Sequence, residues 1–307
     1  MMTKPWTLRE GFAVGGTLIA FGLLLTLSFG PVRWDAFEWP TNGITMSALV
    51  ALLLMMHLLR SHVYVFRFLS TYAAAIPAIV YAVVVTIVMG LTRQSAEGHG
   101  IHDMLTFWPF VLTYVYLTVV LGMVTFRRLF AFKPAQWRRD VPFLLNHLGL
   151  FLTLTTATLG NADLRRVKMI TNVGQLEWRA INAHMEVIEM PIAIELRRFI
   201  METYDDGSPR RYASELEVVT RTGKDFLATV DVNHPVKVDG WKIYQFGYDT
   251  AMGADSQTSI LEFVRDPWLP VVYAGIYMML AGALLMFIGQ KSNTRPHHSP
   301  QRQTPTS

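Results

Sequence analysis

Six long apolar runs constrain the fold of this chain more than any other feature of its sequence. They lie at residues 11–29, 44–59, 72–91, 105–126, 141–160 and 268–289. A helix needs about 20 apolar residues to cross the hydrocarbon core of a bilayer. With 51% hydrophobic and 16% charged residues, the 307-residue composition is also typical of a polytopic membrane protein. We therefore predict about six transmembrane helices, with kinks at Pro77 and Pro109 because proline removes a backbone donor.

The basic residues predict how these helices are oriented, because cytoplasmic loops carry an excess of Lys and Arg. The short loops and ends on one side hold twelve such residues: Lys4, Arg9, Arg60, Arg67, Arg127, Arg128, Lys133, Arg138, Arg139, Lys291, Arg295 and Arg302. The short loops on the other side hold only Arg33 and Arg93. Both termini are therefore predicted to be cytoplasmic. The net charge of +4 resides mainly in these loops, so we predict no nucleic-acid partner.

Residues 161–267 differ in character from the apolar runs around them. Segments 216–220, 226–233, 241–249 and 259–266 have the composition of strands and are separated by turn-like sequences. They predict one mainly-β domain outside the cytoplasm, inserted before the last transmembrane helix. The chain contains no cysteine, which excludes disulfides and thiolate chemistry within it.

Histidines are the candidate reactive groups. His147 lies inside the uncharged run 141–160, about 9 Å from its inner end at 1.5 Å per residue. An ionisable side chain within a membrane helix is costly and suggests a functional site. His57 lies near the inner end of the second run, at comparable depth. Two such imidazoles would suit the two axial positions of haem iron. The more common role of a histidine in a membrane helix, however, is to hydrogen-bond the backbone of a neighbouring helix.

Several motifs, taken in order along the chain, resemble the ResB family of cytochrome c biogenesis proteins. The most specific is VNHPVKVDGWKIYQFGYD at residues 232–249, which is similar to the family pattern VN-x-P, Gly and IYQ-x-x-Y. It continues into DPWLPVVYAGI at residues 266–276. The membrane segment NHLGLFLTLTTATLG, which begins at Asn146, is similar to the family's histidine-bearing helix. The likeness extends over residues 68–289.

The resemblance implies a division of the chain and a function. The expected parts are a two-helix membrane extension (1–67), a three-helix ResB-like membrane core (68–160), an extracytoplasmic mainly-β domain (161–267), the last transmembrane helix (268–289) and a disordered cytoplasmic tail (290–307). It also implies a multi-pass protein of the bacterial inner membrane in the system II pathway. There the chain would work with a CcsA-type membrane subunit to export haem b and present it to apocytochrome c.

For the site, the resemblance implies that His147 is an axial ligand of the haem iron. Nothing carries over to His57, which remains a weaker candidate from depth alone, because the two N-terminal helices are additional to the family's usual core. The cluster Arg127, Arg128, Arg138 and Arg139 would form a basic entrance for haem. The chain would be an accessory subunit of a cytochrome c synthase.

Two other functions remain open from the sequence. The chain could be a scaffold that positions the CcsA-type subunit without binding haem. It could instead be a b-type electron carrier that uses His57 and His147 as a bis-imidazole pair. The second alternative is disfavoured, because such carriers usually place histidine pairs on both sides of the membrane.

Overall fold

The computed structural model describes residues 5–95 and 98–290. Its α-helices, in chain order, are α1 (Leu8–Phe29), α2 (Thr41–Leu59), α3 (Tyr64–Leu69), α4 (Tyr72–Leu91), α5 (Trp108–Phe130), α6 (Trp137–Leu159) and α7 (Leu269–Gln290). All except the short α3 are long and apolar enough to cross a membrane. The predicted set of six transmembrane helices is therefore confirmed. The predicted tail, 290–307, lies outside the described residues apart from residue 290.

The two prolines named from the sequence occupy different positions in their helices. Pro77 lies within α4, which continues across it. Pro109 lies in the first turn of α5, where backbone N–H groups have no intrahelical partner in any case. The prediction of a kink at Pro109 was therefore wrong. The helix also begins three residues after the apolar run, because Met104 and Phe107 pack as part of a loop against Val85.

Glycines allow α6 and α7 to approach each other closely. A Cβ atom at Gly149 would lie 2.6 Å from the carbonyl oxygen of Gly275, and one at Gly275 would lie 2.7 Å from that of Gly149. One at Gly282 would lie 2.5 Å from Nδ2 of Asn146. Small residues are common where membrane helices pack backbone against backbone. This contact sets the position of α6, the helix that carries His147.

A separate compact unit, Asp163–Trp268, contains the β-structure. Its strands are β1 (Arg165–Asn172), β2 (Leu176–Ile181), β3 (Val187–Thr203), β4 (Pro209–Thr220), β5 (Asp225–Asp231), β6 (Val236–Val238), β7 (Trp241–Tyr248) and β8 (Thr258–Arg265). They form one antiparallel sheet in the order β5-β4-β3-β2-β1-β8-β7-β6. The predicted mainly-β domain before the last helix is confirmed.

The sheet curls around a single apolar core to which every strand contributes. Ile192, Ile194, Leu216, Ile243 and Phe263 are among its fully buried side chains. Such burial follows from alternation along each strand, which sends every second residue to the same face. The exposed residues between them are largely polar or charged. The sheet therefore has the form of a small, incompletely closed barrel.

Two local contacts hold the ends of this barrel. The edge strands β5 and β6 follow one another in the chain. Lys224, in the β4–β5 turn, pairs with Asp239, in the β6–β7 turn, and its Nζ lies 2.5 Å from Oδ1 of Asp239. At the point where the chain enters and leaves the unit, Nε1 of Trp268 donates a 2.6 Å hydrogen bond to Oδ2 of Asp163. The unit is thus tied together without disulfides.

Candidate functional site

His147 lies on α6 and is half-buried. Its Nδ1 atom lies 2.9 Å from the carbonyl oxygen of Phe143, one turn earlier on the same helix. A carbonyl oxygen can only accept, so Nδ1 must carry the proton. This leaves Nε2 as the ring nitrogen with a lone pair, and no described residue hydrogen-bonds to it. The structure therefore presents His147 with one nitrogen held and the other available, which is the arrangement of a metal-binding imidazole.

The phenyl ring of Phe143 stacks on this imidazole. Their centroids are 3.8 Å apart and their planes differ by 18°. Residues four apart lie on the same face of a helix, so the two side chains meet because of their spacing. The guanidinium carbon of Arg128, on α5, lies over the same phenyl ring, 5.6 Å from its centroid. A side chain from a second helix is thereby connected to the environment of His147.

Arg128 is in turn paired with Asp140, which lies in the first turn of α6 and is only 1% exposed. Nε of Arg139 lies 3.4 Å from Oδ1 of Asp140, and the backbone N–H of Lys133 approaches Oδ2 at 3.5 Å. A buried carboxylate is stable only when it is paired and hydrogen-bonded. These contacts close the α5–α6 turn around one acidic side chain.

The four arginines of the predicted basic entrance therefore differ in their availability. Arg128 and Arg139 are engaged by Asp140, and Arg138 lies over the indole of Trp137 at 5.7 Å. Arg127 is exposed, and no ion pair involves it among the described residues. Counting charges along the sequence could not separate these cases, because it does not reveal which arginine faces Asp140.

His57 lies in the last turn of α2 and is 5% exposed. Its ring stacks on Phe130 of α5, with centroids 4.7 Å apart and planes inclined by 22°. Its Nδ1 atom is buried and has no hydrogen-bond partner among the residues that the structure describes. An unpaired buried polar atom is uncommon in folded proteins. His57 therefore differs from His147 in being enclosed, with an unsatisfied nitrogen.

The two imidazoles are not in contact. No ring contact or hydrogen bond joins His57 to His147, although both residues are described. Leu53 lies one turn before His57 on α2, and Phe151 lies one turn after His147 on α6. Both side chains approach Gly122 of α5, where a Cβ atom would lie 2.5 Å from Leu53 and 3.2 Å from Phe151. The histidines thus lie one turn from a shared contact at comparable heights along α5.

The other described histidines lie in loops or turns. His102 contacts the backbone of Arg93, His62 contacts Ser61, and His234 contacts the carbonyl of Val232. No group of three or more His, Cys, Asp or Glu side chains suited to a metal is found among the described residues.

The most specific sequence motif, residues 232–249, has a structural role in the barrel. Asn233 adopts the left-handed conformation (φ 65°) in the tight turn after β5. Asp239 and Gly240 have φ values of 46° and 83° in the turn between β6 and β7, as a two-residue hairpin with this twist requires. Gln245 points inward and donates to Oγ of Ser259 at 2.8 Å. The motif therefore specifies turns and one buried polar contact.

Comparison with known proteins agrees with the expected resemblance. Residues 128–259, which include His147 and strands β1 to β7 of the barrel, match the model of the ResB-like family. Proteins named cytochrome c biogenesis protein CcsB from Prochlorococcus marinus are 27% identical over 108 residues (strain NATL1A) and 25% identical over 103 residues (subspecies pastoris). These alignments cover 35% and 33% of this chain. The chain spans only about a quarter of these relatives, 24% and 23% of their length.

Among solved structures, a cytochrome c haem lyase CcmF aligns with 92% of this chain and 46% of its own. The TM-score is 0.39 at 12% identity, so the similarity carries no functional argument. The sequence matches are the informative ones, and the match to the family model covers the histidine-bearing part of α6 and most of the barrel. Residues 128–259 of this membrane protein are thus similar to the ResB-like family, and part of the chain is similar to the CcsB proteins at low identity.

Proposed function

We propose that this chain takes part in cytochrome c biogenesis as a haem-handling subunit of a membrane cytochrome c synthase. Its substrate would be haem b, which is exported and presented for covalent attachment to apocytochrome c. The observation that carries the proposal is the arrangement of His147: Nδ1 is held by the carbonyl of Phe143, and no described residue hydrogen-bonds to Nε2. The name of the CcsB relatives, cytochrome c biogenesis protein, supports the broader part of the proposal, a role in cytochrome c biogenesis.

The residues around His147 fit a haem in transit. Nε2 supplies a ligand for iron, and the apolar residues of α6 suit the porphyrin. Of the basic residues nearby, Arg127 is exposed and not engaged by Asp140, so it is the best placed to meet a propionate. Arg128, by contrast, is already neutralised by Asp140.

His57 is the second candidate ligand within this chain. Its buried, unpartnered Nδ1 would be satisfied by a metal or a donor. It ranks behind His147 because its ring is 5% exposed and stacked on Phe130. A residue of the CcsA-type partner is the alternative source of a second ligand.

The topology of the proposal follows from the charge distribution. We place both termini in the cytoplasm and the barrel, within 161–267, on the extracytoplasmic side of a bacterial inner membrane. Haem would then meet Arg127 and His147 near the inner face, and the barrel would lie where apocytochrome c and the CcsA-type subunit can be held.

The test is the haem content of the full chain, purified together with its CcsA-type partner. The His147→Ala variant should lose most of the Soret absorbance and fail to support cytochrome c maturation. The matched control is His62→Ala, because His62 is exposed at the same end of the bundle and its imidazole hydrogen-bonds only Ser61 among the described residues. Unchanged haem in His147→Ala would overturn the proposal and favour a scaffold without haem.

A further inference from the structure

We infer that Asp140, Arg128 and Phe143 form a positioning relay that fixes the ring plane and the tautomer of His147. This inference rests on the proposed function, since it assigns a role to residues that act on the haem ligand. None of the three residues would touch iron. Each acts on the next, and together they connect the start of α6 and the end of α5 to one imidazole.

The last step of the relay is the pair formed by Phe143 and His147. The ring contact at 3.8 Å and 18° restricts rotation of the imidazole about its χ2 bond, because a turned ring would collide with the phenyl. The 2.9 Å hydrogen bond from Nδ1 to the carbonyl of the same residue fixes the proton. The phenyl ring of Phe143 thus fixes the plane in which Nε2 points and keeps Nδ1 facing the backbone carbonyl, and the hydrogen bond to that carbonyl determines which nitrogen carries the lone pair.

The middle step is the guanidinium of Arg128 over the Phe143 ring. A cation above a phenyl face is attracted by the ring quadrupole, and the attraction is larger where water is excluded. The side chain of Arg128 is 26% exposed, so the contact is partly desolvated. It holds the phenyl in place from a second helix, which an isolated α6 could not do.

The first step is the ion pair between Asp140 and Arg128. An ion pair as enclosed as this one adds little net stability, because desolvating both charges offsets most of their attraction. A planar guanidinium can pair through its edge and still stack its face on an aromatic ring, whereas an ammonium group has no planar face to stack. Because the ion pair adds little to the stability of the fold, its role in the relay is to hold Arg128 over the ring of Phe143.

The test compares variants of the full chain in nanodiscs. In Arg128→Lys the positive charge remains but the planar contact with Phe143 is lost. In the double variant Arg128→Met/Asp140→Leu both charges are removed, so no unpaired charge is left buried. We expect both to bind added ferric haem about tenfold more weakly than the native chain, the lower end of the loss seen when partners of metal ligands are removed. Lys133→Gln, which removes an exposed charge from the same loop, is the matched control.

A second readout needs no haem. In protein labelled with ¹⁵N-histidine, the native chain should show His147 with its proton on Nδ1. Phe143→Leu and Arg128→Lys keep the backbone carbonyl of residue 143 but loosen the ring stack that holds Nδ1 towards it, so they should show exchange between tautomers. Native-like haem affinity and an unchanged tautomer in these variants would overturn the relay. Haem that survives His147→Ala would instead defeat the proposed function, and the tautomer measurement would still decide whether the relay exists.

Discussion

The contact between α6 and α7 gives a sharp prediction about what holds the histidine-bearing helix. In Gly275→Ala, the new methyl group would lie 2.7 Å from the carbonyl oxygen of Gly149 and 2.2 Å from Oγ1 of Thr153. The Thr153 side chain can rotate away, but the backbone carbonyl cannot. Restoring an ordinary 3.4 Å contact requires the helices to separate by about 0.7 Å.

The expected cost is about 1–3 kcal/mol, the range for overpacking a well-packed interface. The control is Gly90→Ala on α4, because Gly90 is exposed and a Cβ atom there meets nothing within 4 Å. That substitution should stabilise the chain by up to about 1 kcal/mol, since alanine is the better helix former. The two alanine variants should therefore change stability in opposite directions.

The assay is thermal unfolding of both variants in one detergent, followed by circular dichroism, with haem content measured on the same samples. Gly275→Ala should melt below the native chain and Gly90→Ala at or above it. Haem should decrease only in Gly275→Ala, because Gly149 lies two residues from His147. Equal melting temperatures for the two variants would refute the claim that α6 and α7 meet backbone to backbone.

Two further predictions concern the barrel. Leu216→Ala should lower the free energy of unfolding by about 2–5 kcal/mol, because Leu216 is fully buried, whereas Leu227→Ala, at a side chain that is 74% exposed, should change it little. Arg179 lowers the pKa of Glu177 from 4.5 to about 2 through a direct hydrogen bond. This pair should therefore stabilise the barrel above pH 4.5 and lose its effect as pH falls towards 2. The difference in urea midpoint between the native chain and Glu177→Gln should shrink over that pH interval. A difference that stays constant with pH would contradict the assigned pKa of Glu177. Equal losses of stability in Leu216→Ala and Leu227→Ala would contradict the burial assigned to Leu216.

Residue patterns along the chain predicted the helices well, because a bilayer demands long apolar runs whatever their partners. Boundaries were less accurate where apolar residues pack in loops, as at Met104, since composition does not distinguish a loop from a helix end. The extra strands β1, β2, β3 and β6 were not predicted. In β2 and β3 the alternation is interrupted by irregular pairing near Glu177 and Leu196, and β6 is only three residues long.

The candidate site shows the same division between local and distant contacts. The stack of Phe143 on His147 follows from a spacing of four residues on one helix, so the sequence already contained it. The pairing of Arg128 with Asp140 depends on the turn between α5 and α6 bringing them together. In the sequence, Arg128 was only one of several basic residues predicted on the cytoplasmic side of the membrane. Its engagement by Asp140 appears only in three dimensions.

The most direct test of the central claim is imidazole rescue of His147→Gly. The full chain, purified with its CcsA-type partner, should show a Soret band that is lost in this variant and returns when free imidazole is added, because imidazole replaces the missing ligand. A Soret band that persists in the variant without imidazole would contradict the assignment of His147 as a haem ligand.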